Sequence, residues 1–314
     1  MAAPPDPSTP GLRAPDFVLP TTDGTPTRFY GAVGGDPLVL CFGDAEIAVH
    51  NPADPAADPI LVFVDAEGEV RDRFGAAPHT AVVLDPNLRV LGTASAPDGR
   101  ADHTAVAAHL ERLPRHDDVQ VSAQAPVLLI PDVLSPEWCE RLMAMWADSG
   151  AEETGVETTV EETRAEVRNA KAKRRRDLVV TDAQANAEIA QAVGQVVMPE
   201  IRRAFNYRAT RFEGFKIGCY DEESAGFFSR HRDNLSPSTA HRRFALSLNL
   251  NDGYEGGEVR FGEFGPMRYR PPAGGALVFS GALLHEVLPV TGGRRFVLLS
   301  FLWGDDVRRP PTAS

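Results

Sequence analysis

The chain has 314 residues, 43% of them apolar, with 32 basic and 44 acidic side chains and a formal charge of −12. That apolar share suffices for a real core and the length suits two domains, so disorder as the main state and a fibrous repeat are excluded. The acidic balance argues against nucleic acid, which is bound by neutralising phosphates with Lys and Arg, and against an anionic membrane surface. The charge is also uneven. Residues 1–115 hold 8 Arg, no Lys and 16 acidic residues, against 24 basic and 28 acidic residues in the remainder, which suggests two modules with different surfaces. Cys41, Cys139 and Cys219 are odd in number and form no C-x-x-C pair. A disulfide framework or structural zinc site is therefore not expected, and a reducing, cytoplasmic setting fits. No signal peptide opens the chain, because MAAPPDPSTPG lacks a basic start and an apolar core. No apolar run approaches the roughly 18 residues of a membrane span.

Taken in order, residues 1–11 are rich in Pro, Ala and Ser and read as a disordered tail. A domain over 12–114 follows. Its pieces are the apolar run PLVLCF, a buried strand in ILVFVDAEGEV, two strands joined by a DPN turn in TAVVLDPNLRVLG, and a helix in HTAVAAHLERL. Strands alternating with helices suggest an α/β unit. Residues 115–125 are polar and unpatterned, a linker. In SPEWCERLMAMWADSG, Ser135 suits an N-cap and Pro136 the first helical position. Residues 151–173 are highly charged and read as a mobile loop or loose helix. A second helical stretch covers 182–205. From 211 onward come short strands (FEGFKIGCY, RFALSLNLN, GGEVRF, ALVFS, HEVLPV, RFVLLSFLW) separated by Gly- and Pro-rich turns. Helices followed by many short strands predict a β-sandwich or jelly roll over 126–304, before a short tail at 305–314.

A 2-His-1-carboxylate metal site takes two imidazoles and one carboxylate and leaves coordination positions open. His-x-Asp supplies two of these ligands from one strand end, because residues two apart point the same way. Three H-x-D/E triplets occur: His109 with Glu111, His116 with Asp118, and His231 with Asp233. The first lies on a predicted helix, where residues two apart diverge, and the second lies in the linker. The third follows the strand FKIGCY and precedes more strands. His285 then opens a later strand, and Arg295 lies ten positions beyond it.

Residues 126–304 resemble the prolyl 4-hydroxylase-type branch of the 2-oxoglutarate- and Fe(II)-dependent dioxygenases. The resemblance runs through PDVLSPEWCERL, FKIGCY, HRDN, RFALSLNLND, YEGGEVRF, PPAGGALVFS, HEVLPVTGGRRF and the strand ending in Trp303. It implies a double-stranded β-helix with flanking helices, in which His231, Asp233 and His285 hold Fe(II) and O2 is a cosubstrate. It implies that Arg295 pairs with the distal carboxylate of 2-oxoglutarate, in keeping with the bidentate fork of a guanidinium. Arg294 is expected on the opposite face, although a register slip would exchange the two. Tyr220 matches a tyrosine that helps hold 2-oxoglutarate, and Asn249 a second polar contact. Phe227 and Phe228 stand where many relatives carry Tyr, which makes that wall apolar. Arg176, Phe228 and Trp303 are candidates for the substrate side. The run Lys171, Lys173, Arg174, Arg175, Arg176 is either a solvated face or a rim attracting an acidic substrate. His241 is expected at the surface. The implied reaction hydroxylates a prolyl residue, an amino acid or a small metabolite and yields succinate and CO2, with ascorbate a candidate reductant.

Residues 12–114 are similar to a peroxiredoxin or thioredoxin-like unit, but GDAEIAVHNPADP follows the PLVLCF strand and contains no cysteine. Cys41 sits inside the strand as a small hydrophobe. A non-catalytic module for packing, docking or homodimerisation is expected. Two other readings stay open: a thiol peroxidase with an accessory β-helix domain, and a non-catalytic module binding metal and 2-oxoglutarate.

Overall fold

A computed structural model of the chain describes residues 9–53, 57–97, 100–113, 120–149, 152–153, 156–160, 163–167 and 172–307. Lys171, His116, Asp118 and much of the predicted tails and linker lie outside the described residues. The chain divides into two compact units, Met1–Val119 and Gln120–Ser314. No helix among the described residues is long and apolar enough to cross a membrane.

The first unit is built on a five-stranded sheet of β1 (Leu38–Phe42), β2 (Glu46–His50), β3 (Leu61–Val64), β4 (Thr80–Leu84) and β5 (Val90–Ser95). Their order is β3-β2-β1-β4-β5, and every neighbouring pair is antiparallel. All five residues of β1 are buried, as an unbroken apolar run at the centre of a two-faced sheet requires. One face packs Leu40 and Phe42 with Phe17, Phe29, Phe63 and Phe74. The other packs Val39, Cys41 and Val83 with Val106 of α1 (His103–Leu110), whose N-cap is Asp102. The thioredoxin-like α/β expectation is not what these residues build. Such a unit needs a helix after the first strand and a parallel partner beyond it. Here β2 occupies that place, because Ile47 and Val49 alternate with more exposed Glu46 and Ala48, and Gly43 donates to the Glu46 carbonyl at 2.8 Å to close a hairpin. Residues 9–11 also depart from the predicted tail, since the buried Gly11 donates to the Val90 carbonyl at 2.8 Å.

The second unit opens with β6 (Val127–Ile130) and α2 (Pro136–Asp148). Ser135 caps α2 by accepting from the Trp138 N–H, and α2 buries Cys139, Leu142 and Trp146 along one stripe. The predicted loop over 151–173 contains an antiparallel strand pair, β7 (Val156–Val160) with β8 (Thr163–Val167). Its β-branched Val and Thr outweigh the charge that suggested a loop. After β9 (Arg176–Val179) come α3 (Ala183–Ala192) and α4 (Met198–Phe205), joined by a π-helical turn at Val193–Val197. Pro199 cannot donate to the preceding turn, and the widened turn accommodates it.

The remaining named strands are β10 (Lys216–Asp221), β11 (Phe227–His231), β12 (Phe244–Asn249), β13 (Ala276–Ser280), β14 (His285–Val287) and β15 (Arg294–Trp303). The larger, eight-stranded sheet runs β6-β13-β12-β15-β10-β9 and ends on Glu152–Glu153, with Arg211–Phe212 also paired to β15. The smaller sheet has Lys173–Arg174, β11, β14, Val259–Arg260 and Arg268–Tyr269. One core cluster joins Tyr220, Ala245, Leu277, Phe279 and Val297 of the larger sheet to Val259, Tyr269 and Val287 of the smaller. The unit is thus a jelly roll closed by two facing sheets. Beyond β15, in the predicted tail, Asp305 and Asp306 are held by Arg211 and Tyr207.

Candidate metal centre

β11 ends on His231 and β14 begins on His285, and the two are partners across the antiparallel pair. Asp233 lies two residues past β11, where its N–H donates to the Gly281 carbonyl at 2.8 Å. The three side chains therefore meet. His231 Nε2 is 3.5 Å from Asp233 Oδ1, and His285 Nε2 is 3.5 Å from Asp233 Oδ2. All three ligand atoms lie within 4.8 Å of one another.

The chemistry of this trio suits a cation. His231 Nδ1 lies 2.7 Å from the Ser229 carbonyl and His285 Nδ1 lies 3.0 Å from the Leu283 carbonyl. Carbonyls only accept, so each Nδ1 carries the proton and each Nε2 keeps a lone pair for a metal. Asp233 Oδ2 is buried without a hydrogen-bond partner, a costly state that a bound cation would relieve. Burial pushes the Asp233 carboxyl up, but His285 and His231 outweigh it and hold it below the usual range. Burial pushes the His285 imidazole below its ordinary value, against the pull of Asp233. Both shifts favour the ligand forms. Phe228 stacks on His231 at 3.6 Å and Phe279 meets His285 edge-on at 4.6 Å, which fixes both rings against apolar walls. Two imidazoles and one carboxylate with an open side fit Fe(II).

A cavity of about 310 Å³ opens beside the trio, and Tyr220, Phe228 and Arg175 line it. Arg295 lies deep behind Tyr220, 2% exposed. Its Nε donates to Asn249 Oδ1 at 3.2 Å and its Nη2 to Ser247 Oγ at 3.3 Å. Both acceptors are neutral, and among the described residues no carboxylate pairs with it. Arg294 turns outward to Asp221 at 2.8 Å. Asn249 is fully buried, and its amide donates to the Tyr254 hydroxyl and the Pro271 carbonyl. With its oxygen on Arg295, it orients that guanidinium, in place of the direct cosubstrate contact expected from the sequence.

Other expected residues fall elsewhere. Arg176 faces away from the cavity, with its guanidinium 4.9 Å from the Trp146 ring and paired with Asp221 at 3.1 Å. Trp303 packs edge-on against His241 at 4.8 Å and does not line the cavity. His241 is buried, not at the surface, because Glu213 takes its Nε2 at 2.8 Å. The cation that does line the cavity beside Tyr220 is Arg175. Strand alternation sets Arg175 and Asp177 on one face and Arg176, Leu178 and Val180 on the other, but does not by itself say which face meets the cavity. Lys173 also lines the cavity and donates to Asp177 at 3.1 Å. Burial and the Arg175 charge pull its ammonium down to about 8. In the first unit, burial pushes the Cys41 thiol up to about 11, opposite to what a peroxidatic cysteine needs.

Known proteins resemble part of this chain. Residues 215–303 match the 2OG-Fe(II) oxygenase superfamily. A PKHD-type hydroxylase of Xanthomonas campestris pv. campestris (strain 8004) is 30% identical over 184 residues, covering 56% of this chain and 77% of that protein. A PKHD-type hydroxylase of Xanthomonas euvesicatoria pv. vesicatoria is 28% identical over 190 residues, covering 58% and 80%. A crystal structure of a Pseudomonas putida prolyl-4-hydroxylase aligns with a TM-score of 0.45 and 22% identity, over 60% of this chain and 95% of that one.

Proposed function

Because the chain belongs to the 2OG-Fe(II) oxygenase superfamily and is a prolyl 4-hydroxylase-like dioxygenase, we propose that it hydroxylates an unactivated C–H bond. The substrate is a prolyl residue of a polypeptide, an amino acid or a small metabolite, and 2-oxoglutarate and O2 become succinate and CO2. The observation that carries this reading is the half-buried His231–Asp233–His285 trio, with the buried, unpartnered Asp233 oxygen beside an open cavity. These three residues hold Fe(II). The bound metal supplies oxygen activation coupled to decarboxylation of 2-oxoglutarate.

The rest is positioning by this chain. Arg295 binds the distal carboxylate of 2-oxoglutarate, supported by its burial without an acidic partner. Asn249 and Ser247 hold its guanidinium in one orientation. Phe228 and Phe279 keep water from the ligand rings. A thiol peroxidase reading loses support, because Cys41 is buried with its thiol protonated.

The experiment adds anaerobic Fe(II) and 2-oxoglutarate and looks for a metal-to-ligand charge-transfer band. Mass spectrometry of candidate peptides and amino acids then follows a one-oxygen gain that requires both additions. No band in the wild-type chain, or an undiminished band in His231→Ala, refutes the proposal.

A further inference from the structure

A row of three side chains crosses the inner face of the larger sheet: Arg175, one residue before β9, then Tyr220 of β10, then Arg295 of β15. Strand registers set the row. Arg176 pairs with Cys219, which brings Arg175 alongside Tyr220, and Tyr220 pairs with Arg295. Each guanidinium carbon lies 5.5 Å from the centre of the Tyr220 ring. Arg175 grips Asp177 through Nε and through Nη2, the latter at 2.8 Å. Its Nη1 donates to the Tyr220 hydroxyl oxygen at 3.1 Å.

An arginine donates and never accepts. The phenolic oxygen of Tyr220 therefore takes a hydrogen bond from Arg175 and must send its own proton elsewhere. Among the described residues no acceptor stands within reach of that proton, and Tyr220 lines the cavity. Arg175 is itself poorly placed to hook a substrate, because three of its nitrogens are engaged by Asp177 and Tyr220.

We infer that Arg175 is a positioning residue for the cosubstrate, holding the Tyr220 oxygen so that the phenolic proton points into the cavity toward the carboxylate that Arg295 binds. The inference rests on the 2-oxoglutarate reading above. Asp177, buried and shared with Lys173, fixes the guanidinium in place. The carboxylate thus meets a fixed donor pair, Tyr220 and Arg295, and little ordering remains to be done on binding.

The test is calorimetric titration of 2-oxoglutarate into the Mn(II)-loaded full chain. Arg175→Met and Tyr220→Phe should each weaken binding about tenfold, the scale of one well-placed hydrogen bond to a charged group. The double variant should be no weaker than either single one, because both remove the same contact. Mn(II) affinity should not move. Arg175→Lys keeps a charge beside Asp177 without the guanidinium fork; it should show the same loss and serves if Arg175→Met does not fold. Additive losses in the double variant, or wild-type binding in the Arg175 variants, overturn the inference. Arg295→Leu separates the two levels. If it binds 2-oxoglutarate normally, the cosubstrate reading fails; if it loses binding while the Arg175 variants do not, only the positioning role fails.

Discussion

Replacing Arg295 with leucine should cost anion binding and leave folding intact. In the structure this guanidinium is 2% exposed and meets two neutral oxygens, at 3.2 and 3.3 Å. A buried cation without a counter-charge is held at a desolvation cost. Leucine removes that cost, although Asn249 and Ser247 each lose a donor. The unliganded variant should therefore unfold within about 1 kcal/mol of wild type, the worth of one neutral hydrogen bond. A carboxylate on Arg295 makes two charge-assisted hydrogen bonds of about 1.5–3 kcal/mol each. Their loss totals about 3–6 kcal/mol, which predicts binding weaker by about a hundredfold to ten-thousandfold. The assay is titration of 2-oxoglutarate into Mn(II)-loaded protein, with Mn(II) affinity and thermal unfolding measured in parallel. Affinity within threefold of wild type would refute the reasoning, as would an equal loss of Mn(II) binding.

Further outcomes follow from other parts of the fold. Asp233→Ala should lower metal affinity by more than the roughly 100-fold typical of losing an outer-shell partner, since it removes the one carboxylate of the trio; metal titration reports the loss, and affinity within tenfold of wild type would contradict this. Gly257 has φ +70°, and a Cβ there would lie 3.0 Å from Arg295 Cδ and 2.9 Å from Val290 Cγ2. Gly257→Ala should therefore cost about 1–2 kcal/mol in denaturant unfolding and weaken 2-oxoglutarate binding; unchanged affinity would show that Arg295 tolerates the push. Burial pushes the Cys41, Cys139 and Cys219 thiols from 9.0 up to about 11, 11 and 12. Folding thus retains protons that the unfolded chain releases, so this stabilisation is complete below pH 9 and is lost as pH climbs toward 11. A triple Cys→Ala variant should lose less stability than wild type between pH 9 and 11, and the native thiols should resist alkylation at pH 8; an identical decline in both proteins would remove the cysteines as its cause.

The metal trio was legible because its geometry is local. His231 and Asp233 sit two apart at a strand end, and His285 opens a strand that pairs with the first. The burial of Arg295 was legible for a similar reason, since alternation along β15 puts it opposite the exposed Arg294. What the sequence hid depended on which element covers which face. Arg175 and Arg176 are adjacent cations, and only the packing of Trp146 over Arg176 shows which one faces the cavity. His241 looked like a surface residue until Glu213, 28 positions earlier, supplied its buried partner. In the first unit, resemblance favoured a helix after PLVLCF, yet the alternation in EIAVH already favoured a strand. The pairing of 156–160 with 163–167 was hidden by charge, which does not fix backbone shape.

The place of β15 has a consequence for how the protein is made. It lies between β12 and β10 in the larger sheet, yet it follows every other named strand of that sheet in the chain. Until it emerges from the ribosome, the sheet exists at most as two halves with open hydrogen-bonding edges, the condition that invites misassembly. The first unit is different. Three of the four strand pairings in its five-stranded sheet join sequence neighbours, so it can fold while the second unit is still being synthesised. Arrival of β15 closes the sheet and delivers Arg295 in one event, so the anion site cannot mature before the sheet does. Stalled chains ending near residue 290 should show a protease-resistant first unit beside a sensitive second one, and a resistant second unit would refute this order of assembly.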